Sequence, residues 1–203
     1  MYGIPVRTRK YQLKRRAERH AETRRRIIEA TAELHRTLGP THTSILAIAK
    51  RAGVERPTVY RHFPTVEALF TACTAHHSAN NPLPDPEAWL AIESPMARLQ
   101  QALREHYAYY TQHEVMLWNV QRDLYDHPEL RRFGAHRLRH RERAMEVLTA
   151  VWSTRGENRL LKAAIAHSID FFAWRSLHQQ GLTDDEIVQL MIGLVHSAVH
   201  HNA

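Results

Sequence analysis

Cysteine is almost missing from this chain. Among 203 residues only Cys73 is present, which excludes an intrachain disulfide and leaves no cysteine cluster to hold a metal. Its neighbours Ala68, Leu69, Phe70 and Ala72 mark it as a packed helix residue rather than a redox sensor. Long apolar runs are missing too. No stretch approaches the ~20 apolar residues that span a bilayer, so no membrane partner is expected. The opening MYGIPVRTRKYQLKRR is basic but lacks the apolar segment of a secretory signal, and cytoplasmic residence is the expectation that follows. There is no alternating β pattern, no internal repeat, and no low-complexity tract beyond the basic opening. A nucleophile elbow, a glycine-rich phosphate loop and an HExxH motif are all absent, which argues against an enzyme and implies no cofactor.

A chain of this length with 43% hydrophobic residues can hold a small amino-terminal module and a larger second core. Charge divides between them unequally. Residues 1–75 carry 15 Lys and Arg against 6 Asp and Glu, and the remaining 128 residues carry 13 against 15. Basic charge gathered on one part is the footprint of a nucleic-acid-binding domain. It is densest between Arg7 and Arg26. Two readings stand for that run: a solvated tract, or a flexible arm over residues 1–22 that tracks phosphates or enters an A·T-rich minor groove, with residues from about Lys14 extending the first helix.

The segment Thr43–Phe70 reads as two short helices joined by a glycine turn. Ser44 is a good N-cap, and Ile45, Ile48, Ala49 and Ala52 follow at the spacing of one apolar helix face. Gly53 can take the left-handed conformation that turns the chain, leaving Val54 in the angle between the helices. A second helix restarts at about Glu55 with Pro57 in its first turn. Val59 and Phe63 form its buried side, and Arg56, Thr58, Tyr60, Arg61 and His62 form an outer side suited to phosphates and base edges. Before this pair, Ile27, Thr31, Leu34 and Leu38 mark a helix ending at Gly39-Pro40. After it, Thr65 caps a helix to about His77. Ser78–Pro86, with three prolines and two asparagines, is the clearest break.

From about Thr23 to Cys73 the order helix, GPTHTS, helix, AGVERPTVYRHF, PTVEALF resembles the DNA-binding domain of the TetR family of bacterial transcriptional regulators. The matching elements are Gly39, Thr43-Ser44, Ala52-Gly53-Val54, Thr58-Val59-Tyr60 and His62-Phe63. Leu46 stands where some members carry a base-reading arginine, and Val66 where many carry a lysine. The resemblance implies a dimeric regulator, by default a repressor that leaves a palindromic operator when a small-molecule effector binds. Arg56, Thr58 and Arg61 would then reach base edges or backbone. Thr43, Ser44, Tyr60 and His62 would anchor phosphates, with Pro57, Arg24 and Arg25 completing the candidate interface.

The fold expected is all-α: a three-helix helix-turn-helix domain over 23–77 after the arm, then a helical ligand-binding and dimerisation bundle over 78–203. Helices are expected at about 94–112, 114–125, 128–153, 157–180 and 183–200, with Pro95 and Pro128 in first turns and Gly156 and Gly181 as punctuation. Ile165, Ile169 and Phe172 on one helix, and Leu190, Leu194 and Ala198 on another, belong to apolar stripes that serve either the protomer's own core or a four-helix dimer interface. His106, Tyr110, His113, Trp118, Gln121 and Arg122 are either packing residues or the lining of an effector pocket. His136/His140 and His196/His200 have a spacing that can put two imidazoles on one metal. The first pair lies among arginines that repel a cation and the second beside His201, so no metal site is expected. A helical-bundle enzyme or carrier, or a sequence-indifferent architectural DNA-binding protein, is the alternative reading.

Overall fold

The computed structural model describes residues 6–127, 130, 132, 134–152 and 158–200, with side chains described from Tyr11 onward. Every regular element among them is helical, and the chain divides into two compact units at Asn81/Pro82.

The first unit holds α1 (Val6–Thr37), α2 (Ile45–Ala52), α3 (Arg56–His62) and α4 (Val66–Asn80). Its core draws a narrow stripe from each helix: Ile27, Ile28 and Ala30 from α1, Ile48, Ala49 and Ala52 from α2, Val59 and Phe63 from α3 and its end, and Leu69 from α4. Thr31 is fully buried and its hydroxyl donates to the Ile27 carbonyl at 2.7 Å, so the polar group enters the core satisfied. Leu38, expected on the buried stripe, lies past the end of α1 and is exposed.

Residues from Lys14 extend α1 as expected, and the expected flexible arm is corrected for residues 6–13, which continue the same helix without a break. No glycine or proline interrupts Val6–Thr37, and a helix already nucleated by a packed segment extends residue by residue without a new nucleus. Ion pairs one turn apart support it, Lys14–Glu18 at 3.9 Å and Arg25 with Glu22 and Glu29 at 2.6 Å each. Residues 1–5 lie outside the described residues. At the other end of the unit, α4 runs past the expected stop at His77. Its last carbonyls are taken up by Asn80 Nδ2, donating to His76 O at 2.7 Å, and Asn81 Nδ2, donating to His77 O at 3.0 Å, before Pro82 forbids more helix.

The second unit packs α5 (Pro95–Asp126), α6 (Ala135–Ala150), α7 (Arg159–Ser168), α8 (Phe171–His178) and α9 (Asp184–His200), preceded by a 3-10 turn at Ala88–Ala91. Trp89, Leu103, Tyr107, Leu117, Leu148, Ile165, Trp174 and Ile187 form the centre of its core. Four expected helices change. The pair 94–112 and 114–125 is one continuous α5, since no breaker stands at His113. The helix expected from 128 begins at Ala135, behind Gly134; Pro128 is outside the described residues. The helix expected over 157–180 is two. Asp170 accepts the N–H groups of Phe172 and Ala173 at 2.9 and 3.2 Å and starts α8 afresh. The Tyr107 and Tyr110 hydroxyls donate to Ser168 O and Ile169 O at 2.7 Å each, satisfying carbonyls that the break exposes. Gly156 falls outside the described residues. α9 opens on a capping box: the Thr183 N–H donates to Glu186 Oε2 at 2.8 Å, and the Glu186 N–H to Thr183 Oγ1 at 3.3 Å.

Candidate nucleic-acid interface

Local caps build the α2–α3 corner. Ser44 Oγ accepts the Ala47 N–H at 3.1 Å and fixes the start of α2. Gly53 ends it at φ 64°, ψ 42°, a conformation that a Cβ makes costly. The Val54 N–H then bonds the Ala49 carbonyl at 3.0 Å. α3 begins after Glu55 with Pro57 in its first turn, so the missing proline N–H leaves no carbonyl unserved. Val59 and Phe63 are buried and tie α3 to the core.

That anchoring decides which α3 side chains face outward. Arg56, Pro57, Tyr60 and Arg61 are exposed, and Thr58 and His62 are half-buried. Arg56 lies over the Tyr60 ring at 5.6 Å from its centroid, with Nη2 donating to Tyr60 Oη at 3.3 Å. The pair presents a guanidinium backed by an aromatic face, the combination that reads a guanine edge or a phosphate. The Thr43 hydroxyl donates to Gly39 O at 2.8 Å; Ser44 is exposed and its O–H remains a donor while its oxygen caps α2. Burial, then the positive fields of His20, Arg61 and Arg24, hold the His62 pKa below its usual value. Its Nδ1 has no hydrogen-bond partner among the described residues.

Two features were invisible to a motif reading. Lys50 and Arg51 close α2 as exposed cations, Arg51 paired with Glu33 across to α1. The other is how α1 meets the end of α3. Arg24 sits over the Phe63 ring at 4.9 Å, and His20 and His62 have ring centroids 4.2 Å apart. The signal was the spacing His20, Arg24, Ile27, one helix face, usable only once α1 is known to start early. Arg25, by contrast, is held by Glu22 and Glu29, which raise its pKa further; such exposed pairs are weak and exchangeable.

The residues proposed for a ligand all lie on α5 and divide between its buried side and its more open positions. His106 and Tyr110 are core residues. His106 Nδ1 bonds the Ala102 carbonyl at 2.7 Å, and burial pushes its pKa down to about 4. His113, Gln121 and Arg122 are half-buried on α5 and Trp118 is exposed, with the Arg175 guanidinium over its ring at 4.1 Å. Arg122 donates to Asp123 at 2.7 Å and Asn119 at 3.2 Å. A groove of about 680 Å³ opens elsewhere, between α8 and α9, lined by residues including Ala173, Leu177, Leu190, Gly193 and Leu194. None of the six lines it. Of the interface candidates, Ile165 and Ile169 are buried inside the protomer and Ala198 packs partly against its core, whereas Phe172, Leu190 and Leu194 are 43%, 51% and 42% exposed. Among the described residues no three metal-ligating side chains converge, and no helix is long and apolar enough to cross a membrane.

A capped helix, a left-handed glycine turn and a second helix with a buried spine and a basic outer side define a helix-turn-helix DNA-binding domain. Residues 27–73 match the family described as bacterial regulatory proteins, tetR family. A 60-residue stretch is 37% identical to an uncharacterized HTH-type transcriptional regulator of Mycobacterium tuberculosis, covering 30% of this chain and 32% of that relative. A 59-residue stretch is 37% identical to one of Mycobacterium bovis, covering 29% and 31%. The matched stretch thus spans about a third of the length of these curated relatives. The fold likeness extends further. A TetR-like transcriptional regulator from Rhodococcus sp. RHA1 superposes with a TM-score of 0.63 at 17% identity, over 88% of this chain and 96% of that one. A putative TetR-family regulator from Mesorhizobium loti gives 0.55 at 20% identity, over 89% and 96%. The sequence likeness to the tetR family thus rests on the amino-terminal residues 27–73, and the fold likeness to TetR-like regulators runs over most of the chain.

Proposed function

We propose that this protein is a DNA-binding transcriptional regulator, not an enzyme, acting as a homodimer that places two α3 helices in successive major grooves of a palindromic operator. The observation that carries the reading is the outward basic and aromatic side of α3 on a corner fixed by Ser44 and Gly53. Arg56 and Arg61 read base edges with Thr58, and Thr43, Ser44, Tyr60 and His62 set the register on phosphates. Residues to 77 carry DNA binding, and 78–203 carry dimerisation and effector binding.

Phe172, Leu190 and Leu194 are the apolar side chains left for a partner α8–α9 pair. A small effector on α5, near His113, Trp118, Gln121 and Arg122, releases the operator through its different affinity for the DNA-bound and free states. Repression is the family's usual sign of control.

Selecting bound duplexes from a random pool with the full chain tests the proposal. An enriched two-fold symmetric sequence is the expected outcome. Recovery of unenriched DNA overturns it in favour of sequence-indifferent binding, and recovery of none overturns DNA binding itself.

A further inference from the structure

Residues 11–20 of α1 have no place in the packed core. Every residue from Tyr11 to His20 is exposed, and that stretch holds Lys14, Arg15, Arg16 and Arg19 against the single acid Glu18. Its few apolar residues, Tyr11, Leu13 and Ala17, are exposed with the rest and bury no stripe against the protein's own core. Its direction is nevertheless set. His20, Arg24 and Ile27 share one face. Ile27 is buried in the core, Arg24 covers the Phe63 ring, and His20 lies against His62 at the last residue of α3. The same face continues to Arg16 and Leu13, four and seven residues earlier, past the end of the recognition helix.

We propose that the basic first half of α1 is a rigid, helical part of the DNA interface, docked on the carboxyl-terminal end of α3 and laid along backbone phosphates beside the base pairs that α3 reads. The inference rests on the DNA-binding reading above. The occupant is double-helical DNA on grounds of charge and continuity: four cations in six residues face a polyanion, and the helix abuts the element that enters the groove. From His20 back to Val6 the helix rises roughly 21 Å at about 1.5 Å per residue. Phosphates along one strand follow at about 3.4 Å per step, so the arm spans roughly six base pairs. Phosphate contacts of this kind fix position without reading sequence. A tether of equal charge would bind as well from any direction; a rod binds only when its axis is held.

The test uses the full chain and its selected operator. Affinity is measured against salt for the wild type, for Lys14→Gln/Arg15→Gln/Arg16→Gln/Arg19→Gln, for Ala17→Pro, and for all five changes together, with circular dichroism and thermal midpoints as the check on folding. Each neutralised phosphate contact removes about 0.9 from the slope of log affinity against log salt, so the quadruple variant, which removes four cations from each protomer of the dimer, should be shallower by up to about seven and more than about tenfold weaker near 0.1 M salt. Ala17→Pro keeps every charge but breaks the exposed helix between Lys14, Arg15 and Arg16 and their anchor, leaving Arg19 on the anchored side. It should lose most of that amount, and the combined variant more only by the share of Arg19, because both changes remove the same contacts of the other three. A quadruple variant that weakens binding while Ala17→Pro does not overturns the rigid arm in favour of a tether. Unchanged affinity and slope in both overturn any contact by this segment. A wild type that selects no operator instead overturns the regulator reading itself.

Discussion

The two units bury different things. The amino-terminal unit buries single apolar stripes with Thr31 and His35 the polar exceptions, and turns its basic side chains outward. The carboxyl-terminal unit buries large aromatic residues together with Arg98, His106, Asn119, Asp123 and Ser168. Arg98 is 6% exposed, and its guanidinium donates to the carbonyls of Ile92 at 2.8 Å, Leu90 at 3.3 Å and Val147 at 3.3 Å. One unit therefore keeps its chemistry on the surface, where substitution changes binding and leaves the fold. The other keeps polar groups inside, where substitution changes the fold first.

Trp174→Ala should give the largest effect. Trp174 is fully buried and its Nε1 donates to Asp184 Oδ1 at 2.9 Å, so truncation should cost about 4 kcal/mol. The measurement is the urea midpoint of the full chain. A loss under about 1 kcal/mol would show that this core is loose.

Acid should come next. An unfolded histidine takes a proton near pH 6.5, but buried His106 does so only near 4, so the unfolded state binds more protons between these values. Stability is fully present above about pH 6.5 and falls by about 3 kcal/mol as pH drops to about 4, with no further loss below from this group. Comparing unfolding midpoints across that window for wild type and His106→Gln isolates the contribution. An equal slope in both assigns the acid sensitivity elsewhere.

Arg56→Ala should leave the midpoint alone, since Arg56 is exposed. It should lower the preference for operator over random DNA by about 1–3 kcal/mol. Equal losses on both DNAs would move Arg56 from base edges to phosphates. Ser44→Ala should be smallest, about 1 kcal/mol of stability through the lost cap, detectable in thermal melts. A melt identical to wild type would mean that Val59 and Phe63 alone hold the corner.

The same contrast governs what could be read in the sequence. The α2–α3 corner was legible because its determinants are local: a cap at Ser44, a turn at Gly53, a cap at Thr65, with apolar residues in step between them. In the second unit the decisive partners are distant in sequence. Tyr107 and Tyr110 close the end of α7 from about 60 positions away, and that tertiary contact, with Asp170, divides what periodicity alone reads as one helix. His106 and Tyr110 have the chemistry of a pocket lining, yet packing by Trp89, Phe171 and Trp174 rings places them in the core. The α9 stripe hid two faces: Ile187, Met191 and Val195 point inward, Leu190 and Leu194 outward. Which of two apolar neighbours meets solvent depends on the helix's rotation against its neighbours, which a single apolar stripe does not specify.

Cys73 has a practical consequence. It is 5% exposed and burial pushes its thiol pKa up to about 12, so at neutral pH it offers almost no thiolate to an electrophile. Cys73 should therefore react with maleimide reagents far more slowly than an exposed cysteine does. A single cysteine introduced at Ser197 or along the exposed part of α1 can carry a fluorophore or spin label without first removing the native thiol, and such a ruler would follow arm or subunit spacing while operator is titrated.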